Sequence, residues 1–289
     1  MSKSVAPVLV IHGGAGSSRT IDRRRLIARE QALKGILDAV YRALQRGSSA
    51  LKAVALAVEM LEDDPQFNAG RGSKLQADGK IRMSAALMDG SRRRFAGAVN
   101  VEGVRNPIRL SERLLRNPPD GSRVLAGPGA ARFARSQQLR FRSPYTDERK
   151  REFRRAGKGK FGTVGAVALD SKGRLAAATS TGGRGLEYPH RVSDTPTVAA
   201  NYANSSCAVS ATGVGEEIVD FAVASHLCSL RETGIGVARA SRMLKQQADK
   251  SRARFGWIAL DADGNFYVAT TTAHIIWAAA TAAKWEVHA

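Results

Sequence analysis

The apolar residues of the 289-residue chain recur with two different periods, and these periods predict its secondary structure. Residues 6–16, APVLVIHGGAG, form an apolar run that ends in a glycine-rich turn, which is typical of a buried strand. Residues 22–46 instead repeat apolar side chains every three or four positions, as one face of a helix requires. The apolar positions of this predicted helix are Leu33, Ile36, Leu37, Val40, Tyr41 and Leu44.

A break at residues 47–49 separates this helix from a second one, predicted at 50–62. Gly47 suits the position just after a helix, where a left-handed backbone is common, and Ser49 suits an N-cap. The same periodicity predicts further helices at 107–116, 215–231 and 236–249.

Short apolar runs separated by Asp-Gly turns predict β-hairpins, because such turns favour the tight reversal between antiparallel strands. We expect strands around turns at 77–79, 89–90, 170–173 and 261–264. Many strand residues are small, which lets two sheets pack closely. Strands and helix pairs occur without regular βαβ alternation, so the pattern favours a layered α+β fold, an αββα sandwich.

Residues 140–160 are dense in Arg and Lys, poor in aliphatic side chains and without a sustained period. We interpret 140–162 as a mobile linker inside one domain of 1–289, because such a segment buries little apolar surface. Strand-like sequence resumes with TVGAVALD at 163–170.

The chain carries a formal net charge of +19, which raises the question of a nucleic-acid partner. The basic residues are scattered among acids, and no zinc-finger, basic-zipper or RNP-type pattern occurs. Specific nucleic-acid binding is therefore not predicted. A solvated basic surface, with salt-sensitive adhesion to polyanions, is the expectation.

Cysteine content and hydropathy point to a reducing compartment. Cys207 and Cys228 are too few for a disulfide framework and lack ligand spacing, so we expect buried, reduced thiols. The N-terminal apolar run is too short for a signal peptide, and no stretch approaches a membrane span. We expect a cytoplasmic protein without a membrane partner.

Several common chemistries are absent from the sequence. The run GGAGS at 13–17 lacks the spacing and the lysine of a phosphate-binding loop. The five histidines form no i, i+4 pair, which argues against a catalytic zinc. No G-x-S-x-G motif occurs, so an α/β-hydrolase is not predicted either. We expect no organic cofactor.

Threonine and glycine are concentrated after residue 162, where Gly162 precedes Thr163. A threonine at a chain N-terminus carries its own base, because its α-amine has a pKa of about 7.7–8.0. This chemistry needs a cut before Thr163, a second hydroxyl and N–H donors for an oxyanion. From these residues alone, two interpretations stay open: an ordinary strand threonine after a loop, or a nucleophile.

Ordered motifs along the chain decide between these interpretations. They are IHGGAG (11–16), LEDDPQFNAGRG (61–72), ALMDG (86–90), VRNPI (104–108), GTVGAVALD (162–170), ATSTGG (178–183), RVSDTP (191–196) and ATGVGE (211–216). Over nearly its whole length, the chain resembles the plant-type asparaginase and isoaspartyl peptidase family of N-terminal nucleophile hydrolases.

This resemblance implies a four-layer αββα sandwich that is made as an inactive precursor. Cleavage between Gly162 and Thr163 would give an α subunit of 1–162 and a β subunit of 163–289. Two such αβ units would associate as a heterotetramer. The implied substrates are L-asparagine and β-aspartyl (isoaspartyl) dipeptides, from which aspartate is released through a β-aspartyl acyl-enzyme.

The resemblance also implies roles for the matching residues around the nucleophile. Thr163 would attack the side-chain carbonyl of the substrate, Thr181 would hold the Thr163 hydroxyl, and Asn68 would lie beside it. Thr212 and the backbone N–H of Gly213 would form the oxyanion hole.

A second set of matching residues would bind the amino-acid head group. Arg191 would clamp the α-carboxylate, where its fork of donors matches two oxygens. Asp194 would bind the α-ammonium, assisted by the backbone of Gly215. An adjacent Arg and Asp suit a zwitterion, although a surface salt bridge is the alternative for this pair.

The resemblance further implies a structural sodium ion. The backbone carbonyls of the 61–72 loop, such as those of Leu61, Glu62 and Phe67, would surround it.

The chain departs from the family pattern at several positions. His190 stands where the family usually has Gly, and Ser84 stands where an Asp often precedes the Met-Asp-Gly turn. Arg71 replaces a usual aliphatic residue, and TTTAHII at 270–276 lacks the Glu-Gly of many relatives. The preference between asparagine and dipeptides therefore stays open.

Two alternatives remain for the function. One is the related glycosylasparaginase activity, against which GTVGAV and the lack of a secretion signal argue. The other is a basic nucleic-acid-binding protein on an inactive hydrolase scaffold.

Overall fold

Two β-sheets and eight α-helices form the part of the chain described by the computed structural model, residues 5–16, 23–155 and 162–288. The strands are β1 (Val8–Gly16), β2 (Met83–Asp89), β3 (Arg94–Val101), β4 (Val124–Ala126), β5 (Val164–Leu169), β6 (Leu175–Thr181), β7 (Asn201–Ala203), β8 (Cys207–Gly213), β9 (Phe255–Asp261), β10 (Phe266–Thr270), β11 (His274–Ala280) and β12 (Trp285–His288). The helices are α1 (Arg23–Gln45), α2 (Ala50–Asp63), α3 (Pro107–Arg116), α4 (Gly127–Ser136), α5 (Asp147–Arg154), α6 (Gly215–Asp220), α7 (Val223–Glu232) and α8 (Val237–Lys250).

The larger sheet has eight strands in the order β12-β11-β1-β5-β6-β2-β3-β4, and the smaller has four in the order β10-β9-β8-β7. All neighbouring strands are antiparallel except β3 and β4, which are parallel. The β5–β6 hairpin therefore lies in the middle of the larger sheet, where neighbours on both sides fix its position.

Three apolar clusters hold the fold together. The first joins the larger sheet to α1–α4 and includes Leu37, Val58 and Ala166. The second joins the smaller sheet to α6–α8, and the third fills the space between the strands of both sheets. Ile258 is fully buried in this third cluster. The observed fold is thus a mixed α+β fold, as the sequence predicts.

Local sequence signals account for several elements. The hydroxyl of Ser49 accepts a hydrogen bond from the backbone of Lys52, which confirms the predicted N-cap of α2. The hairpins β2–β3 and β9–β10 reverse at the predicted Asp-Gly turns, and β5–β6 reverses at the predicted turn of 170–173. The turn at 77–79 differs from the prediction, because the residues on both sides of it are irregular rather than strands.

The single helix predicted at 215–231 is wrong, because α6 and α7 are separate. Ala222 has a left-handed backbone with φ 47°, which interrupts the helix. The backbone N–H of Ala224 then donates to the carbonyl of Ala199 at 2.8 Å, and that of Ser225 donates to Val198 at 3.2 Å. These tertiary partners stabilise a break that helical periodicity does not reveal.

The linker expected over 140–162 is not irregular throughout, because residues 147–154 form α5. The hydroxyl of Thr146 caps this helix, and acidic residues in its first turn and arginines in its last complement the helix dipole. Arg149 also donates from Nε to the carbonyl of Gly72 at 2.7 Å. A polar helix anchored in this way shows no apolar period. Residues 156–161 of the expected linker lie outside the described residues.

Several further features complete the fold. The sequence patterns did not predict α4, β4, β11 or β12, although β11 pairs with β1 inside the larger sheet. Cys207 and Cys228 are buried free thiols, as expected. Among the described residues, none of the helices combines the length and apolar character that crossing a membrane requires.

Packing between the sheets makes a first prediction. Replacing the fully buried Ile258 with Ala should lower the free energy of unfolding by about 2–5 kcal/mol, because it removes transfer free energy and leaves a cavity. Urea unfolding measures the change in a Thr163→Ala background, because this substitution removes the predicted nucleophile from both the parent and the Ile258→Ala variant. The matched control is Ile27→Ala on α1, whose residue is 44% exposed. Equal losses for both variants would contradict this account of the core.

Candidate active site

The β5–β6 hairpin brings two threonine hydroxyls together. Val164 pairs with Ser180 in this hairpin, so the preceding Thr163 lies opposite Thr181. The Thr163 hydroxyl donates to the Thr181 hydroxyl over 3.2 Å, and both residues are buried. Thr181 Oγ1 also accepts a hydrogen bond from the backbone N–H of Gly183 at 3.2 Å. The predicted nucleophile is thus held by the predicted orienting residue.

Asn68 connects the loop after α2 to this threonine pair. Its side-chain Nδ2 donates to the carbonyl of Gly183 at 2.5 Å, and its Oδ1 accepts from the backbone of Lys74 at 3.1 Å. Its own carbonyl accepts from Gly182 at 3.0 Å. Asn68 also packs against Gly162, since a β-carbon there would lie 3.0 Å from its Cβ. Asn68 therefore fixes the backbone of residues 182–183 after Thr181 and packs against Gly162, the residue before the predicted nucleophile.

The end of β8 supplies the predicted oxyanion donors. Thr212 is fully buried, and its hydroxyl accepts a hydrogen bond from the backbone of Ala15 at 3.2 Å. A hydroxyl that accepts this bond retains its own proton to donate. Gly213 follows Thr212 and lines the same pocket as Gly162. The turn of β1 closes over Gly162, because a β-carbon on Gly14 would lie 2.7 Å from the Cα of Gly162.

Five of the predicted residues line one pocket. They are Gly162, Arg191, Asp194, Gly213 and Gly215. Thr163, Thr181, Asn68 and Thr212 reach this pocket through the contacts described above rather than by lining it.

Arg191 carries the fixed positive charge of the predicted head-group site. Its Nε and Nη2 donate to the two carboxylate oxygens of Glu216 at 2.7 and 2.8 Å. The Arg191 side chain is 13% exposed and that of Glu216 is 54% exposed. The Arg191 guanidinium lowers the pKa of Glu216, because it stabilises the carboxylate. Glu216 therefore pairs with Arg191 through a carboxylate, the same group that a substrate would offer as its α-carboxylate.

Asp194 is buried beside this arginine. Burial raises its pKa to about 6, because the ionised form loses its hydration. Within the part of the chain that the structure describes, its Oδ2 is buried without a hydrogen-bond partner. A β-carbon on Gly215 would lie 2.5 Å from Asp194 Oδ1 and 2.8 Å from Arg191 Nη2. Only glycine therefore lets backbone approach both charges, and the unpartnered oxygen suits a bound ammonium.

Comparison with known proteins agrees with this geometry. A sequence model described as asparaginase matches residues 5–288. The chain belongs to the asparaginase family. An isoaspartyl peptidase/L-asparaginase of Nostoc sp. is 42% identical over 285 residues, covering 91% of this chain and 88% of the relative. One from Synechocystis sp. is 40% identical over 90% of this chain and 84% of the relative. A plant-type L-asparaginase of Pyrococcus abyssi is 34% identical over 93% and 95% of the two chains.

The loop that the asparaginase resemblance assigns to sodium has a suitable donor set. A β-carbon on Gly72 would lie 1.9 Å from the carbonyl oxygen of Phe67, and one on Gly70 would lie 2.2 Å from that of Glu62. These carbonyls thus face the tight turn at 70–72. Neutral carbonyl oxygens suit a hard cation. The described residues contain no cluster of three or more His, Cys, Asp or Glu side chains that could hold a metal.

A buried polar network that the sequence does not reveal joins the two sheets behind the predicted site. His12 Nε2 on β1 lies 2.9 Å from the hydroxyl of Ser210 on β8. Ser210 lies 2.7 Å from the hydroxyl of Thr179, which donates to Asn201 at 3.0 Å. Burial lowers the pKa of His12 to about 3, so its imidazole is neutral near neutral pH. The available sequence signal was that these polar residues lie within apolar, strand-like runs.

The carboxyl groups of Glu62 and Glu216 are two further neighbours of the site that the sequence does not reveal. Glu62 was assigned only a backbone role, yet its carboxyl is buried and its pKa is raised to about 8 by desolvation. It accepts from the Ser180 hydroxyl at 2.6 Å and from the backbone of Ile108 at 3.0 Å. Glu216, the partner of Arg191, lies in the quoted ATGVGE motif, but sequence spacing alone does not show the pairing.

The two departures at His190 and Ser84 are accommodated by hydrogen bonds. His190 has φ 65°, a left-handed conformation that explains why glycine is usual there. Its N–H donates to Gln76 Oε1 at 3.1 Å, and its carbonyl accepts from Asn100 Nδ2 at 2.8 Å. Ser84 Oγ accepts from the backbone of Asn100 at 3.0 Å. The loop before Arg191 is thus held in place despite both changes.

The raised pKa of Asp194 predicts a pH-dependent effect on stability. The folded protein holds the Asp194 proton more tightly than the unfolded chain, where the aspartate pKa is about 3.9. The resulting stabilisation is complete below that value and is lost as the pH rises through about 6. Asp194→Asn should therefore stabilise the protein more at about pH 8 than at about pH 4.5, by up to about 2 kcal/mol.

Urea unfolding at the two pH values, again in the Thr163→Ala background, measures this difference. The control is Asp220→Asn on α6, because Asp220 is exposed. If the difference in unfolding free energy between Asp194→Asn and its parent were the same at both pH values, the raised pKa of Asp194 would be contradicted.

Proposed function

We propose that this chain is a self-processing threonine amidohydrolase that cleaves β-aspartyl dipeptides and L-asparagine and releases aspartate. The observation that carries the proposal is the hydrogen bond between Thr163 and Thr181 beside a pocket with Arg191 and Asp194. The printed names of the relatives, isoaspartyl peptidase/L-asparaginase, support the same activity.

Self-cleavage comes first, because in the unbroken chain the Thr163 nitrogen is a peptide amide and cannot act as a base. The Thr163 hydroxyl attacks the carbonyl carbon of Gly162, and the chain transfers from nitrogen to oxygen as an ester. Water hydrolyses this ester and leaves a carboxylate on Gly162 and a free amine on Thr163. The cut divides the chain into 1–162 and 163–289.

Turnover then uses the new amine. It accepts the proton of the Thr163 hydroxyl as the oxygen attacks the β-carbonyl of the substrate. Thr212 and the Gly213 N–H stabilise the negative oxygen that develops. The amine returns the proton to the departing nitrogen, and a β-aspartyl ester remains on Thr163. Water activated by the same amine hydrolyses the ester and releases aspartate.

Head-group binding positions the substrate for this attack. Arg191 binds the α-carboxylate. It must then either release Glu216 or hold both carboxylates, and the exposed side chain of Glu216 can move aside. Asp194 binds the α-ammonium through its unpartnered buried oxygen. Gly215 allows the head group to approach both charges. The pairing of one cation with one anion selects a free amino acid head group and disfavours an internal peptide position.

The proposal extends to the architecture. We propose that the two sheets and their helices form the four-layer αββα sandwich of N-terminal nucleophile hydrolases. The succession of three apolar clusters supports this arrangement. Two αβ units are proposed to associate as a dimer.

A structural sodium ion belongs to the same proposal. The carbonyls of Leu61, Glu62 and Phe67 would hold it, and it would supply rigidity to the 61–72 segment, which contains Asn68. The carbonyls of Glu62 and Phe67 that face the turn at 70–72 support this role.

Intact-mass analysis tests the nucleophile. Purified protein should separate into two fragments divided before Thr163, and Thr163→Ala should abolish both cleavage and hydrolysis of a β-aspartyl dipeptide. Thr163→Ser should retain both at a reduced rate, because it keeps the hydroxyl and, after cleavage, the amine. Normal turnover by Thr163→Ala would show that the nucleophile assignment is wrong.

The same preparations distinguish the alternative functions. Preference for a glycosylated asparagine over a β-aspartyl dipeptide would favour glycosylasparaginase activity. An unbroken chain that hydrolyses neither substrate but binds DNA or RNA in a salt-dependent way would favour the inactive scaffold.

Replacement of sodium by choline at constant chloride concentration tests the ion. Because an ion that binds the folded state stabilises it, the midpoint of thermal unfolding should fall by about 2–8 °C. Potassium chloride is the control for monovalent cations that can still enter a carbonyl site. Equal midpoints in sodium and choline would overturn the sodium proposal without affecting the catalytic one.

A further inference from the structure

A second arginine lines the pocket and is not used by the mechanism above. Arg184 lies on the same pocket wall as Arg191 and Asp194. Arg191 is paired with Glu216, whereas Arg184 is exposed and, among the described residues, makes no ion pair or side-chain hydrogen bond. Its charge nevertheless acts on the pocket, because it contributes to lowering the pKa of Glu216. The pocket thus contains a cation that is available to a ligand.

The backbone around Arg184 is fixed to the nucleophile network. The preceding Gly183 donates its N–H to Thr181 and accepts at its carbonyl from Asn68. Two residues further along, the N–H of Leu186 donates to the carbonyl of Leu75 at 2.8 Å. The Cα of Arg184 is therefore held close to the threonine pair, while its long side chain is free to reorient at the rim.

The charges of the pocket match a particular substrate class. Asp194 and Arg191 account for the α-ammonium and the α-carboxylate that L-asparagine and β-aspartyl dipeptides share. The two substrates differ in the group that leaves, because asparagine loses ammonia whereas a dipeptide loses an amino acid with its own α-carboxylate. Only the dipeptide has an anion left for a second arginine.

We propose that Arg184 binds the α-carboxylate of the departing amino acid and so makes the enzyme prefer β-aspartyl dipeptides to L-asparagine. This inference rests on the proposed function. Arg184 follows Gly183, which contacts Thr181, so the backbone of Arg184 lies on the nucleophile side of the pocket and its side chain starts from there. The departing nitrogen must leave from the carbon that Thr163 attacks, so its substituent is within reach of that side.

Two other roles for the same charge make different predictions. Arg184 could instead receive Glu216 when substrate displaces it from Arg191, in which case every substrate depends on Arg184 equally. It could also bind the new carboxylate of Gly162 after self-cleavage, in which case its loss alters cleavage or all turnover alike. Neither role discriminates between departing groups.

The test compares three substrates on fully cleaved enzyme: β-aspartyl-alanine, its C-terminal amide, and L-asparagine. For Arg184→Gln we expect kcat/KM to fall about tenfold for the free dipeptide, mainly through KM, because a charge-assisted hydrogen bond is lost. The amide and asparagine should change by less than about twofold, because neither presents a departing carboxylate. Arg184→Lys should recover part of the loss, since it keeps the charge but not the fork.

Arg254→Gln is the matched control, because Arg254 is also exposed and pairs with the neighbouring Glu217 but does not line the pocket. Equal losses for all three substrates, or no loss for the free dipeptide, would overturn the role of Arg184. A wild-type enzyme that hydrolyses none of the three would overturn the proposed function itself, and the wild-type measurement separates these two failures.

Discussion

Every buried hydroxyl between the two sheets needs a hydrogen-bond partner, and this requirement governs the centre of the molecule. The loss of a partner leaves a desolvated polar group that costs about 1–3 kcal/mol. The hydroxyls of Thr179 and Ser210 meet the requirement by bonding to each other across the sheets, and Ser210 also bonds to His12 Nε2. Such contacts need strands that approach closely, and a β-carbon on Gly165 of β5 would lie 2.0 Å from the Ser210 hydroxyl. The small residues along these strands are therefore a condition of the polar network, and the network in turn holds the strand that follows Thr163.

The binding pocket has a different electrostatic character from this network. The network is neutral, because His12 is uncharged at neutral pH and its other members are hydroxyls and an amide. The pocket instead is lined by the charged side chains of Arg191 and Asp194, and Arg191 pairs with Glu216 beside it. Ionisation of Asp194 in the pocket costs free energy, as its raised pKa shows. A ligand ammonium would offset that cost, so the pocket gains most from a ligand that carries the complementary charge.

The sequence alone was sufficient wherever local chemistry determines structure. The turn at 170–173, which begins with Asp and ends with Gly, sets the hairpin in which Thr163 meets Thr181. Motif resemblance places Arg191 and Asp194 in the site. The sequence alone was insufficient where residues far apart in the chain determine the local structure. The break at Ala222 depends on backbone acceptors more than twenty residues away, at Val198 and Ala199. A polar helix such as α5 has no apolar period, and its anchor is a carbonyl of the distant 70–72 turn.

Backbone and side chains make separable contributions at the rim of the pocket. Gly183 is bound at both its N–H and its carbonyl, and His190 is bound in the same way by Gln76 and Asn100. The backbone at these positions therefore contributes to the shape of the site, whereas the side chains of His190 and Arg184 extend into exposed positions. Substitutions at such side chains change the charge that an incoming substrate meets without breaking the bonds that hold Thr163. Specificity for the departing group can thus vary within a family while the arrangement of the nucleophile stays the same.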